Sequence, residues 1–245
     1  MARALGLLFG LIAYAIFFAT FLYLIAFVGN LPGVPVTVDR GSDSAVGTAI
    51  IVNLLLIALF GVQHSVMARQ GFKQAWTRIV PRQIERSAYV LASSAALIIL
   101  FAFWRPITGN VWRIENEAGQ IVAWVLFALG WLIVLLSTFL ISHFELFGLK
   151  QVWLHWRQRD ADPPAFRKPF FYRMVRHPLY SGFFLAFWAT PVMSWGHLLL
   201  AIGMSAYMLI AIPHEERDMI GLFGEDYESY RRDVGMLAPR IRRRT

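Results

Sequence analysis

The chain has 245 residues, 58% of them hydrophobic and only 16% charged, with a formal net charge of +8. Soluble domains carry about 25% charged residues, so the composition excludes an ordinary soluble protein. No cysteine is present, which excludes disulfides, thiolate metal sites and a cysteine nucleophile.

Five segments contain no Asp, Glu, Lys or Arg: 4–28, 44–68, 87–104, 118–144 and 178–213. A membrane-spanning helix needs about 20 apolar residues, so each is expected to enter a bilayer. The first is too long for a signal-peptide core and no small-residue cleavage site follows it, so it is expected to remain as a helix. The loops between the segments alternate in charge. Loop 30–43 has one basic residue, 69–86 has five, 105–117 has two, 145–177 has seven, and the tail 214–245 has seven. Basic loops stay on the cytoplasmic side and face anionic lipid. This predicts an inner-membrane protein with both termini cytoplasmic, and it accounts for the positive charge without nucleic acid.

The last apolar segment, 178–213, would be about 54 Å long as one helix, against a hydrocarbon core of roughly 30 Å. Both flanks are basic, so an even number of crossings is expected. Pro191, Ser194 and Gly196 supply a turn. The expected form is a tight hairpin of about 179–193 and 197–213, with a single kinked helix as the competing form. The fold class is thus an all-α integral membrane protein of about six transmembrane helices, the last two a hairpin. After Ile212 the helix is expected to leave the bilayer at Pro213, with residues 214–233 forming a polar amphipathic lid. The tail RIRRRT (Arg240–Thr245) reads as a solvated basic end.

Polar residues cluster at the predicted cytoplasmic ends: Gln63, His64 and Ser65; Ser142, His143 and Glu145; Arg176 and His177; His214, Glu215, Glu216 and Arg217. Each alone reads as an interfacial or snorkelling residue, with Glu145 pairing with Lys150 and Glu216 with Arg217. Four helices carrying ionisable groups to one depth point instead to a site, because such groups are costly there. The six histidines show no HxxxH or HxxHH spacing, so no metal is expected. Neither a GxSxG elbow nor a GxGxxG turn is present.

Three motifs stand in order: RHPLYSG (Arg176–Gly182), HEER (His214–Arg217) and LFGEDYESYRRDV (Leu222–Val234). Together they resemble the RHPxYxG, paired-glutamate and FGxxYxxY elements of the isoprenylcysteine carboxyl methyltransferase superfamily. QHSVMAR (Gln63–Arg69), WTRIVPRQIERSAYVL (Trp76–Leu91), WRPI (Trp104–Ile107), SHFELFGLKQVW (Ser142–Trp153) and GFFLAFWATPVMSWGHLLLA (Gly182–Ala201) extend the resemblance. They look like the bacterial membrane thiol methyltransferases, the branch that makes dimethyl sulfide. NnrU-like proteins of nitrogen-oxide metabolism share part of the pattern.

The resemblance implies S-adenosyl-L-methionine as cofactor, a small volatile thiol as substrate and a cytoplasmic cofactor-binding C-terminal region. It divides the chain into transmembrane helices with their connecting loops (1–169), a methyltransferase module (170–236) and a basic tail (237–245). Carried over by motif, Arg176, His177, Tyr180 and Gly182 form one cofactor element and Glu215 and Glu216 a second. Tyr227, Tyr230 and Arg231 form the third. Physically, guanidinium suits a carboxylate, a glutamate pair suits an amino group or sulfonium, and aromatic rings suit a sulfonium by cation–π contact. Trp188, Ser205 and Tyr207 are expected to line the substrate pocket. An alkanethiol must lose its proton, and His143 with Glu145, or His64, are the expected bases. Three rivals stay open. A prenylcysteine or lipid methyltransferase would need a long lipid-facing tunnel. A sterol-type reductase would use NADPH, with Arg231 and Arg232 near its 2′-phosphate. A non-enzymatic accessory protein would bind no cofactor.

Overall fold

The computed structural model describes residues 1–161, 163 and 165–240. The last five residues of the predicted basic end, 241–245, lie outside them. The chain divides into two compact units: residues 1–112, 143–162 and 192–204, and residues 113–142, 163–191 and 205–245.

The first unit is built on α1 (Ala2–Val28), α2 (Val46–Ala68) and α4 (Arg82–Phe103), with α4 packed by the other two. Between α2 and α4 lies the short α3 (Gln70–Trp76); α6 (His143–Leu146) and α7 (Leu149–Trp156) complete the helices lying wholly in this unit. Gly10 of α1 makes room for Val152 of α7, because a Cβ at Gly10 would stand 2.6 Å from that side chain. Gly148 caps α7 at φ 86°, a left-handed conformation that favours glycine. Asn53 is fully buried on α2 and closes the end of α4. Its amide donates to Arg105 O at 2.7 Å and its Oδ1 accepts from Arg105 N at 2.9 Å. Backbone polar groups at membrane depth must be satisfied by protein, and one buried amide satisfies two. A two-stranded sheet pairs β1 (Asn110–Arg113) with β2 (Val192–Ser194).

The second unit pairs α5 (Glu117–Ile141) with α8 (Pro178–Trp188) and adds the later part of α9 (Trp195–Phe223) and α10 (Glu225–Asp233). Asn116 caps α5, accepting from Gly119 N at 2.6 Å. Helices α5 and α8 touch backbone to backbone. A Cβ at Gly130 would stand 2.6 Å from Ala186 N, and one at Gly182 would stand 2.7 Å from Gly130 O. Trp131 meets Phe183 and Phe187 edge to face beside this contact.

Among the described residues, five helices are long and apolar enough to cross a membrane: α1, α2, α4, α5 and α9. Ile51, Leu54, Leu55 and Val62 of α2 and Ile121, Val122, Val125 and Leu132 of α5 are exposed, as lipid-facing residues are. The protein is an all-α membrane protein but for the two short strands. α8 has only eleven residues, about 16 Å of helix, roughly half the hydrocarbon core. The chain turns back between α8 and α9, as Tyr180 bonding Glu215 and Trp188 bonding Ser205 show, but the turn is Ala189–Ser194, earlier than expected, and Gly196 lies inside α9. α9 runs beyond the expected end of the second hairpin arm at about 213. It continues through Pro213 to Phe223, with His214–Arg217 inside the helix. A proline in a helix interior costs about 3 kcal/mol; the tertiary bonds of Glu216 described below keep the helix going.

Because the α5–α8 contact is between backbones, Gly182→Ala has no soft neighbour to displace. It should lower the thermal midpoint in detergent, at a cost of about 1–3 kcal/mol. Gly221→Ala, where a Cβ would meet nothing within 4 Å, should not.

Candidate functional site

The segment entering α8 is where the second unit gathers its charges. Pro178 occupies the first helical turn, where its missing N–H costs nothing. Just before it, residues 175–177 run alongside the chain that leaves α10. Val175 bridges Gly235 in parallel, Arg176 N donates to Gly235 O at 2.8 Å, and His177 N donates to Met236 O at 3.1 Å. Ser181 Oγ donates to Leu237 O at 2.8 Å. The residues after α10 thus form a strap along the start of α8.

Side chains lock the strap to α9. Arg176 Nε donates to Glu216 Oε1 at 2.7 Å. Its Nη1 donates to Arg231 O at 3.0 Å and also to Val234 O. His177 Nε2 lies 3.1 Å from the same Glu216 oxygen, and Arg231 Nε lies 3.5 Å from Glu216 Oε2. The Glu216 side chain is 8% exposed, against 12% for Arg176 and 9% for His177. A buried carboxylate is tolerable only with such partners. The expected Glu216–Arg217 pair is therefore replaced: Glu216 turns inward to Arg176, His177 and Arg231. Its neighbour Glu215 is half exposed and accepts from Tyr180 OH. Glu215 Oε2 lies 3.9 Å from His177 Nδ1.

Tyr227 and Tyr230 of α10 are both buried. Tyr230 OH donates to Tyr172 O at 2.5 Å. Burial, the largest cause, pushes the Tyr230 phenol up to about 12 and raises that of Tyr227 as well, so both stay neutral. Phe166 packs on Phe223, Tyr227 and Tyr230, and Lys168 Nζ stands 5.1 Å from the ring centres of both Phe166 and Tyr230. These supporting residues were not anticipated; the aromatic, basic run Phe166–Tyr172 was their only signal in the sequence.

Arg176, His177, Tyr180, Glu215, Glu216 and Arg231 thus converge in one unit, with Tyr230 bonded to the segment that enters α8 and Tyr227 packed beside it. Gly182 serves the α5–α8 contact. Trp188 Nε1 donates to Ser205 Oγ at 3.0 Å, joining α8 to α9, and Tyr207 is half-buried further along α9. The expected bases lie in the first unit. His143, 4% exposed, has Nε2 2.8 Å from Tyr14 OH. Glu145 pairs with Lys150 at 2.7 Å. His64 lies between Tyr89 OH (2.7 Å) and Ser93 Oγ (3.0 Å). Among the described residues no three His, Asp or Glu side chains form a metal-binding group.

No family model matches the chain, and no solved structure matches it. Among curated proteins it is similar to the methanethiol S-methyltransferase of Mycobacterium tuberculosis, at 50% identity over all of both chains. It is also 50% identical to the methanethiol S-methyltransferase of Pseudomonas deceptionensis, over 99% of this chain and 92% of that one. Nurim of Danio rerio is 28% identical over 72% of this chain and 66% of its own length.

Burial, the largest cause in both cases, holds His177 and His143 below the ordinary imidazole value of 6.5. Below that value the unfolded chain binds protons that the folded chain refuses. The stability these histidines contribute is complete above about pH 6.5 and is lost as the pH falls. Thermal unfolding should therefore give a lower midpoint at pH 5 than at pH 7.5, and His177→Gln should reduce the difference.

Proposed function

The chain belongs to the methanethiol S-methyltransferase family, and from that premise we propose that it methylates methanethiol to dimethyl sulfide. We take S-adenosyl-L-methionine as the methyl donor, with hydrogen sulfide as a second acceptor. The observation that carries the donor assignment is the asymmetry of the glutamate pair. Glu216 is consumed by three cationic or donating side chains, whereas Glu215 offers a half-exposed carboxylate beside Tyr180.

The residues fit such a donor. Glu215 and Tyr180 would meet its amino group or sulfonium, and the exposed Arg231 guanidinium would meet its carboxylate. The Arg176 guanidinium already serves Glu216 and two carbonyls, so its part is to fix Glu216 and the strap. His177 stacks against Tyr180 at 5.7 Å and holds that ring in place. Tyr230 braces the segment entering α8 through the carbonyls of Tyr172 and Val175, and Tyr227 packs against it. Bound there, the donor supplies an electrophilic methyl group. The chain's own task is to align a thiol with it and exclude water, and positioning of that kind is worth about 7–11 kcal/mol in favourable cases. Trp188, Ser205 and Tyr207, toward the far end of α8 from His177, are proposed to line the acceptor's way in from the lipid. A small apolar thiol partitions into lipid, which gives a membrane enzyme access to it.

The loop charges support a cytoplasmic face for this site, with both termini cytoplasmic in the inner membrane. They also support six crossings, in which α8 makes the short one. We take 170–236 as the donor-binding module.

Purified protein in detergent, given S-adenosylmethionine and methanethiol, should release dimethyl sulfide into the headspace. Release of methylated prenylcysteine instead, or no donor binding by calorimetry, would overturn the reading. Glu215→Gln should weaken donor binding about tenfold or more, the scale of one charge-assisted hydrogen bond, with little change in thermal midpoint.

A further inference from the structure

We propose that His177 is the base that takes the proton from the thiol, with Glu216 as the residue that orients it. This rests on the methyltransferase reading above and names a part which that reading leaves open.

The neighbours of the His177 ring fix where its proton sits. Glu216 faces two guanidinium groups, at 2.7 Å from Arg176 and 3.5 Å from Arg231, so it is ionised and can only accept. His177 Nε2, 3.1 Å from Glu216 Oε1, must then carry the hydrogen and donate it. In a neutral imidazole with hydrogen on Nε2, the lone pair is on Nδ1. Nδ1 is 3.9 Å from Glu215 Oε2, outside hydrogen-bond range, on the side where the half-exposed Glu215 opens to solvent. A carboxylate on one ring nitrogen and a basic lone pair on the other is the arrangement that prepares a histidine as a base. The ring cannot swing out of this pose easily. Its backbone N–H is held by Met236 O, and its face lies on Tyr180. Burial keeps it neutral at pH 7 and ready to accept.

A base is required by the chemistry. Thiols near the ordinary value of about 8.5 are mostly protonated at neutral pH. In the step, the S–H bond breaks and its proton goes to His177 Nδ1. The sulfur electron pair forms the new C–S bond to the sulfonium methyl, and the donor's C–S bond breaks with its pair left on the donor sulfur. The products are two neutral thioethers and an imidazolium between Glu216 and Glu215. Glu215 gives the proton its way out to water.

His177→Gln separates this role from a structural one, because the glutamine amide N–H can still donate to Glu216. Donor affinity by calorimetry, read with S-adenosylhomocysteine as probe, should fall only a few-fold, the cost of losing the ring that stacks on Tyr180, far less than turnover. Turnover of methanethiol should fall by about 100-fold or more, the scale of general-base catalysis. Turnover of an aromatic thiol already ionised at neutral pH should be largely kept. Equal losses for the two thiols, or no loss for either, would overturn the proposal while leaving the methyltransferase reading intact. A wild-type protein that methylates neither thiol would overturn both. A readout independent of turnover is the 15N spectrum of the histidine side chains. The signal that vanishes in His177→Gln should be a neutral ring protonated on Nε2 at pH 7; protonation on Nδ1, or on both nitrogens, would contradict the assignment.

Discussion

A single carboxylate, Glu216, sits 6% exposed near the end of a long apolar helix. Removing a charge from water costs several kcal/mol even after relaxation, so its position is possible only while its partners are present. Arg176, His177 and Arg231 come from two other places in the chain, the start of α8 and the end of α10. Their shared acceptor ties these three stretches into one body. The strap after α10 and the continuation of α9 past Pro213 both depend on it, while burial keeps His177 neutral against the pull of this carboxylate. A proline at position 213 would ordinarily be expected to end the helix. It does not, because the next turn carries the residue that the rest of the unit is built around.

Elsewhere the governing constraint is the absence of water to satisfy polar groups. Asn53 answers it by accepting and donating to one peptide unit at the end of α4. His64 and His143 each meet a tyrosine hydroxyl. Close helix contact answers the packing side of the problem. Lipid offers little hydrophobic force between helices, so small residues that let backbones meet take its place, as Gly130 and Gly182 do.

Much of this was legible in the sequence. Charge-free runs gave the five long helices, and Pro191 and Ser194 marked the reversal before α9, although Gly196, read with them, falls inside that helix. Arg176, His177, Tyr180 and the glutamate pair were found by motif, and the second unit brings them together. What could not be read is which way each charge turns. Glu215 and Glu216 are adjacent and chemically identical, yet one faces solvent and the other is buried. That choice is made by Arg176, forty residues away in the chain, and local pattern favoured Arg217 instead. The course of α9 beyond Pro213 was hidden for the same reason, since a tertiary bond overrides a local breaker. Gly182 was legible as a place of close approach, but whether to a ligand or to α5 depended on a partner glycine that only the fold supplies.

The proposed chemistry uses this arrangement twice: Glu215, half exposed beside Tyr180, is the carboxylate proposed to face a cationic ligand, and His177 is the proposed base because Glu216 holds its other nitrogen. The most direct test of that dependence is a double-mutant cycle on Arg176 and Glu216, read by thermal unfolding in detergent. Breaking a buried pair from one side strands a charge and costs about 3–5 kcal/mol. Arg176→Met and Glu216→Gln should each be strongly destabilising, while the double variant should lose clearly less than the sum of the two. Additive losses would show that the two residues act separately and would contradict the account.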